Sequence, residues 1–151
     1  MKIKQQSAIR QFLVHEFGEQ KGLLYFEKQE LVLQNIINST KGKSKSQLKT
    51  LRNTILPRIA LYQVLLSFEP DKNVVFDTMR KYMIDIVAAS KHKSTAKMEK
   101  VPGFFYIYKT AFLKIMRTTD LQDSIQEHGR KYYNITITRC LWHDVCVEHG
   151  C

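Results

Sequence analysis

Apolar residues recur at helical spacing through most of the chain, and that period gives way to strict alternation only near its end. Ile9, Phe12, Leu13 and Phe17 mark a first helix, with Gly18 placed to end it. A second, from about Leu23 to Asn38, is carried by Phe26, Leu33, Ile36 and Ile37. The polar stretch from Lys41 to Ser46 reads as an exposed linker. The cleanest stripe follows in Leu48, Leu51, Ile55, Ile59, Tyr62 and Leu66. Pro57 interrupts it, so a kink or break is expected near Ile55. Beyond the proline, Ile59, Ala60, Leu61, Val64 and Leu65 cover most of the circumference, the pattern of a central buried helix that Phe68-Glu-Pro70 closes.

A fourth helix, about Asp71 to Ala89, presents Val75, Phe76, Met79, Met83, Ile86 and Val87, with Asp71 as its N-cap. Ser90 to Lys100 is basic and aperiodic and reads as a connection. Pro102 and Gly103 open a fifth helix, Phe104 to about Arg117, with Phe105, Tyr108, Phe112, Ile115 and Met116 on one face. That aromatic face reads first as a core wall and second as a pocket wall. A short helical turn is expected in Asp120 to His128, ended by Gly129.

From Tyr132 the period is two. Tyr133, Ile135 and Ile137 point one way, and Tyr132, Asn134, Thr136 and Thr138 the other, which predicts a β-strand. Leu141 to His149 then reads as a short helix with Gly150 as its left-handed stop. The fold class is therefore α+β and predominantly α, in a single domain 1–151: five or so packed helices over 1–128, then an α+β segment over 131–151. One strand cannot satisfy its own backbone groups. The rest of the sheet is expected from further chain, from a second copy pairing along 132–139, or from a short strand elsewhere in the sequence.

Composition narrows the class further. With 151 residues, 44% hydrophobic and 25% charged, the chain has the make-up of a globular domain and not of a disordered one. No apolar run reaches the ~18 residues that span a bilayer, and Met1 to Gln6 holds no apolar signal core, so a cytoplasmic protein is expected. The net charge is +10, and the basic residues gather as Lys41, Lys43, Lys45, Lys49 and Arg52, then Lys91, Lys93, Lys97 and Lys100. Both clusters lie in Ser/Thr-rich connections without interleaved aromatics. They read as solvated surface, and a nucleic-acid role ranks last.

Cys140, Cys146 and Cys151 fall within twelve residues, together with His143, His149 and the single tryptophan, Trp142. Such bunching is not a disulfide framework; reduced and clustered, these residues point to chemistry or metal. Cys140, His143, Cys146 and His149 recur every three residues, as a slowly twisting helical stripe. Three readings stay open. Cys140, His143 and Cys146 suit zinc; a thiol beside an imidazole makes a nucleophile; and Trp142, Val145, Cys146 and His149 also form an ordinary buried face. Spacing alone favours packing.

The run Thr136-Ile-Thr-Arg-Cys140-Leu-Trp-His143-Asp-Val-Cys146-Val-Glu-His-Gly-Cys151 resembles the signature of the L-2-amino-thiazoline-4-carboxylic acid hydrolase family. Ile55-Leu-Pro-Arg-Ile-Ala-Leu-Tyr-Gln-Val-Leu65 also resembles a helix of that family. The resemblance implies a helical N-terminal half, a strand ending in Arg-Cys, a short helix and a Gly turn. It covers the N-terminal part of the family, whose members continue with further cysteines and strands. The implied reaction is hydrolysis of a cyclic C–N bond in a small, carboxylate-bearing substrate. Cys140 would be the nucleophile with His143 as base or proton donor. Alternatively, water would be activated on a divalent metal such as zinc, held by Cys140, His143 and Cys146. Arg139 would hold the substrate carboxylate, or else stand in a surface or structural ion pair. The other reading is a non-catalytic small-molecule or zinc-binding helical module.

Overall fold

A computed structural model describes residues 5–118 and 122–151, without the side chains of 94, 112, 113 and 115–118. The elements run α1 (Gln6–Phe17), α2 (Glu19–Ser39), α3 (Lys45–Thr50), a π-helical stretch Leu51–Ile55, and α4 (Leu56–Phe68). They continue as α5 (Lys72–Lys81), a second π-helical stretch Tyr82–Ala88, α6 (Ala89–Thr95), α7 (Phe104–Thr118), β1 (Gln122–His128), β2 (Tyr133–Cys140) and α8 (Leu141–Glu148). This is the predominantly helical α+β fold expected from the sequence.

The stripe from Leu48 to Leu66 is one nearly continuous rod, with its irregularity where the proline demands it. Pro57 has no N–H to give the preceding turn, and its ring crowds the carbonyl four residues back. The chain answers with a wide π-helical turn over Leu51–Ile55 immediately before it. Ser44 starts the rod with a capping box, its hydroxyl accepting from the Gln47 N–H while the Gln47 side chain accepts from the Ser44 N–H.

α4 is central, as its apolar circumference requires. Leu61, Val64 and Leu65 pack with Ile9, Phe12 and Leu13 of α1, Tyr25 of α2, Val75 of α5 and Tyr82. Leu56, Ile59 and Ala60, on the other side, pack with Leu33 and Ile36 of α2 and with Leu141 and Val145 of α8. Two helices cross closely at Gly22, where a Cβ atom would stand 2.5 Å from the Leu13 carbonyl oxygen. Gln29 is fully buried but satisfied: its amide donates to the Pro57 carbonyl (3.0 Å) and pairs with the Gln6 amide, tying α1, α2 and α4 together.

The sequence reading differs from the structure in two connecting segments. Helix continues through Ser90 to Thr95, where a connection is expected; Lys91, His92 and Lys93 stand in solvent, so this last turn needs no apolar periodicity. The expected helical turn over Asp120 to His128 is instead β1, antiparallel to β2 in a register from Gln122↔Cys140 to His128↔Tyr133; residues 119–121 lie outside the described ones. Gly129 donates to the Tyr132 carbonyl to close the hairpin. The mate of the 132–139 strand is thus in the same chain, on one of its edges. On the expected face of α7, Phe105 and Tyr108 are exposed, and Phe112, Ile115 and Met116 lie outside the described side chains. No described helix is long and apolar enough to cross a membrane.

Candidate functional site

α8 is fixed by its buried pair Leu141 and Val145, one turn apart, which dock it against α2 and α4. Its end is tied down as well. Gln63 of α4 donates to the His149 carbonyl (3.0 Å), and Lys43 pairs with Glu148 (3.1 Å). Packed this way, α8 sets Trp142 and Cys146 beside Ile59 and Tyr62 of α4 and the exposed apolar side chains of Phe76 and Met83. Between them opens a cleft of about 240 Å³ lined by Arg58, Ile59, Tyr62, Phe76, Met79, Met83, Trp142, Cys146 and Cys151.

Its lining is almost wholly apolar, with one cation. The Arg58 guanidinium sits 5.0 Å over the Trp142 ring, and its Nε is buried with no hydrogen-bond partner. Burial holds Arg58 below the usual arginine range, offset in part by Tyr82, which is itself pushed up by burial. Arginine remains charged at neutral pH regardless. The result is a partly desolvated positive charge beside a non-polar hollow, hydrogen-bonded to the Tyr82 side chain.

The thiols on this wall are not activated. Burial, and then the neighbouring Cys140, push Cys146 above the ordinary thiol range. Cys151 is exposed as a residue and stands at the cleft; partial burial and then Cys146 push its thiol up to about 11. Both are neutral thiols at pH 7.

The expected stripe of Cys140, His143 and Cys146 does not assemble. Cys140 is the last residue of β2, extended at φ −138° and ψ 115°, and caps α8 without belonging to it. The three-residue helical spacing therefore starts one residue too late to bring it over His143. The His143 side chain is 76% exposed, with Nδ1 3.6 Å from Asp144 Oδ1, and among the described residues no hydrogen bond joins it to Cys140. Nor, among them, do any three His, Cys, Asp or Glu side chains gather as a metal site, so Cys140, His143 and Cys146 do not form the zinc set in this structure. The buried face expected as the plain alternative is present: Val145 is buried, and Trp142, Cys146 and His149 are half-buried.

Arg139 is not in the cleft. It reaches across the hairpin to Asp123, opposite in register, with Nε to Oδ2 at 2.7 Å. Its hydrogen bond holds the exposed Asp123 carboxyl below the ordinary carboxylate range. The cleft's cation, Arg58, carries no role in the sequence reading. Its signal was an arginine inside an otherwise apolar, central helix, a position where a charge needs an explanation.

The chain matches no known protein family, no characterised protein and no solved structure with which it was compared.

Proposed function

We propose that the cleft between α4, α5 and α8 binds a small, carboxylate-bearing cyclic molecule, and that the chain hydrolyses a thiazoline-type C–N bond in it. One observation supports this reading. The two stretches that resemble the thiazoline-carboxylate hydrolases, 55–65 and 136–151, are far apart in sequence yet supply facing walls of one cleft, Arg58, Ile59 and Tyr62 from the first and Trp142, Cys146 and Cys151 from the second.

Arg58 suits the carboxylate, since a partly desolvated guanidinium in an apolar setting gains most from an anion. Trp142 and Tyr62 offer flat faces to a ring. Ring opening needs attack at the electrophilic carbon and a proton for the leaving nitrogen. In this reading the Cys140 thiolate attacks the ring carbon, His143 gives the leaving nitrogen its proton, and water then cleaves the bond from carbon to the Cys140 sulfur and returns the thiol. The cytoplasm, where thiols stay reduced, fits this chemistry, and the outer edge of β2 is where a second copy would pair.

The second reading is binding without turnover. It is favoured by the raised Cys146 and Cys151 thiols and by the outward-facing His143.

Calorimetry with 2-amino-thiazoline-4-carboxylate, followed by mass spectrometry for the ring-opened product, separates the two. Binding with product that disappears in Cys140→Ala supports the hydrolase. Saturable binding without product leaves the binding module. If no binding is seen at millimolar ligand, both readings fail.

A further inference from the structure

Gly150 adopts a left-handed backbone (φ 71°) just past the end of α8, with His149 as the C-cap. The Cys151 N–H donates to the Cys146 carbonyl at 2.9 Å, and the Gly150 N–H to the Val147 carbonyl at 3.2 Å. Together these two bonds make a Schellman motif, in which the side chain two residues past the cap meets the one three residues before it. Both of those positions are cysteines here. With standard bond lengths and the carbonyl bond angle, the hydrogen bond keeps the two Cα atoms within about 6.8 Å of each other, the upper end of the range a disulfide spans. Both residues line the same cleft, neither is in a disulfide, and the Cys151 thiol donates to the His149 carbonyl at 3.7 Å. Cys140 stands at the other end of α8, about 9 Å away at the helical rise.

We infer that Cys146 and Cys151 form a dithiol pair that oxidises to an intramolecular disulfide across this turn, making the rim of the cleft an oxidative modification site. The oxidant is a small-molecule disulfide such as oxidised glutathione. Cys151, the more exposed, attacks it as thiolate; one glutathione thiolate leaves and a mixed disulfide forms. Cys146, after losing its proton, attacks the Cys151 sulfur and expels the second glutathione. Two protein S–H bonds are lost and one S–S bond is made, while two electrons and two protons pass to the oxidant as two thiols. Gly150 lets the turn hold its shape in either state. Burial raises both thiols, so the reduced pair has no thiolate stabilisation, the feature that makes a disulfide easy to reduce. None of this depends on what the cleft binds.

The test uses the native chain, incubated with oxidised glutathione at mildly alkaline pH and high dilution. Cleavage after Asp144 and Glu148 then places the three cysteines on separate peptides. The expected result is a linked pair holding Cys146 and Cys151 that separates on reduction, with Cys140 recovered apart from both. In Cys140→Ser the thiol titre should fall from two to none, with no glutathione retained. Stable glutathione adducts at Cys146 and Cys151, a link through Cys140, or covalent dimers in place of the internal bridge would each overturn the inference. So would two thiols that persist until the chain is denatured.

Discussion

Arg58 and Trp142 meet face to cation, 5.0 Å apart, and through that contact the middle of the helical body recognises the start of the C-terminal helix. The pair has an asymmetry that can be measured. A guanidinium with a buried, unpartnered Nε is costly to keep, and the indole face returns only about 0.5–2 kcal/mol. Arg58→Met preserves much of the volume and removes the charge. Stability is expected to change by less than about 1.5 kcal/mol in either direction. Affinity for a small cyclic carboxylate should fall about tenfold or more, the loss of one charge-assisted hydrogen bond. Urea midpoints and calorimetry on the same preparation read both quantities. Unchanged carboxylate affinity would remove Arg58 from the site.

Gly22 sets how near α1 and α2 can lie. A methyl group there would meet the Leu13 carbonyl oxygen at 2.5 Å and the Val14 Cα at 2.6 Å, both backbone atoms that cannot swing aside. Gly22→Ala gains helix propensity, worth up to about 1 kcal/mol. The helices must nevertheless separate across a buried face that includes Ile9 and Leu13. A net loss of about 1–3 kcal/mol is expected, read as a lower urea midpoint. A variant as stable as the parent would show that the helices part at no cost.

The helical body was legible because its burial follows periodicity. Ile59, Ala60, Leu61, Val64 and Leu65 read as a buried helix and are one, and Pro57 placed the irregularity before it. β1 was not legible. Gln122-Asp-Ser-Ile-Gln-Glu-His holds one apolar residue, Ile125, and that is 61% exposed, so hydrophobic alternation cannot announce the strand. Its pairing with β2 and the short Gly129–Tyr132 turn define it. That strand also decides how Arg139 is paired. Without that strand Asp123 has no place opposite Arg139, and an ion pair cannot be told from a substrate contact. The Cys140–His143 stripe failed for a local reason, one residue of extended backbone where helix was assumed. Arg58 lies within the resembling stretch, but a single arginine carries no spacing pattern that marks it as part of a site.

Leu141 is 2% exposed and Val145 1%, and these two side chains hold α8 in the second core cluster. Leu141→Ala should destabilise by about 2–5 kcal/mol, depending on how far α2 and α4 close over the space. Because Trp142 rides on the same turn, its fluorescence should shift toward that of a solvated indole before the rest of the chain unfolds. Circular dichroism and tryptophan emission, followed through one urea titration, would show two separated transitions. A single coincident transition at the parent midpoint would mean that the helix is held by other contacts.

The raised thiols make stability depend on pH in a definite direction. Cys146 and Cys151 keep their protons to higher pH in the folded chain than in the unfolded one, where a thiol titrates near about 8.5. Their contribution is therefore complete below that value and is lost as pH climbs toward about 11, the folded value of Cys151. Other groups titrate in this range, so the informative quantity is a difference. Urea midpoints of the reduced native chain and of Cys151→Ser should run parallel from pH 6 to pH 8 and converge or cross by about pH 10.5 as the native chain loses more. Alkylation gives an independent reading, since only the thiolate reacts. Iodoacetamide should modify Cys146 and Cys151 slowly at pH 7.5 in the folded chain and several-fold faster in urea. Equal rates in both states would mean that the cleft wall does not hold these thiols in their protonated form.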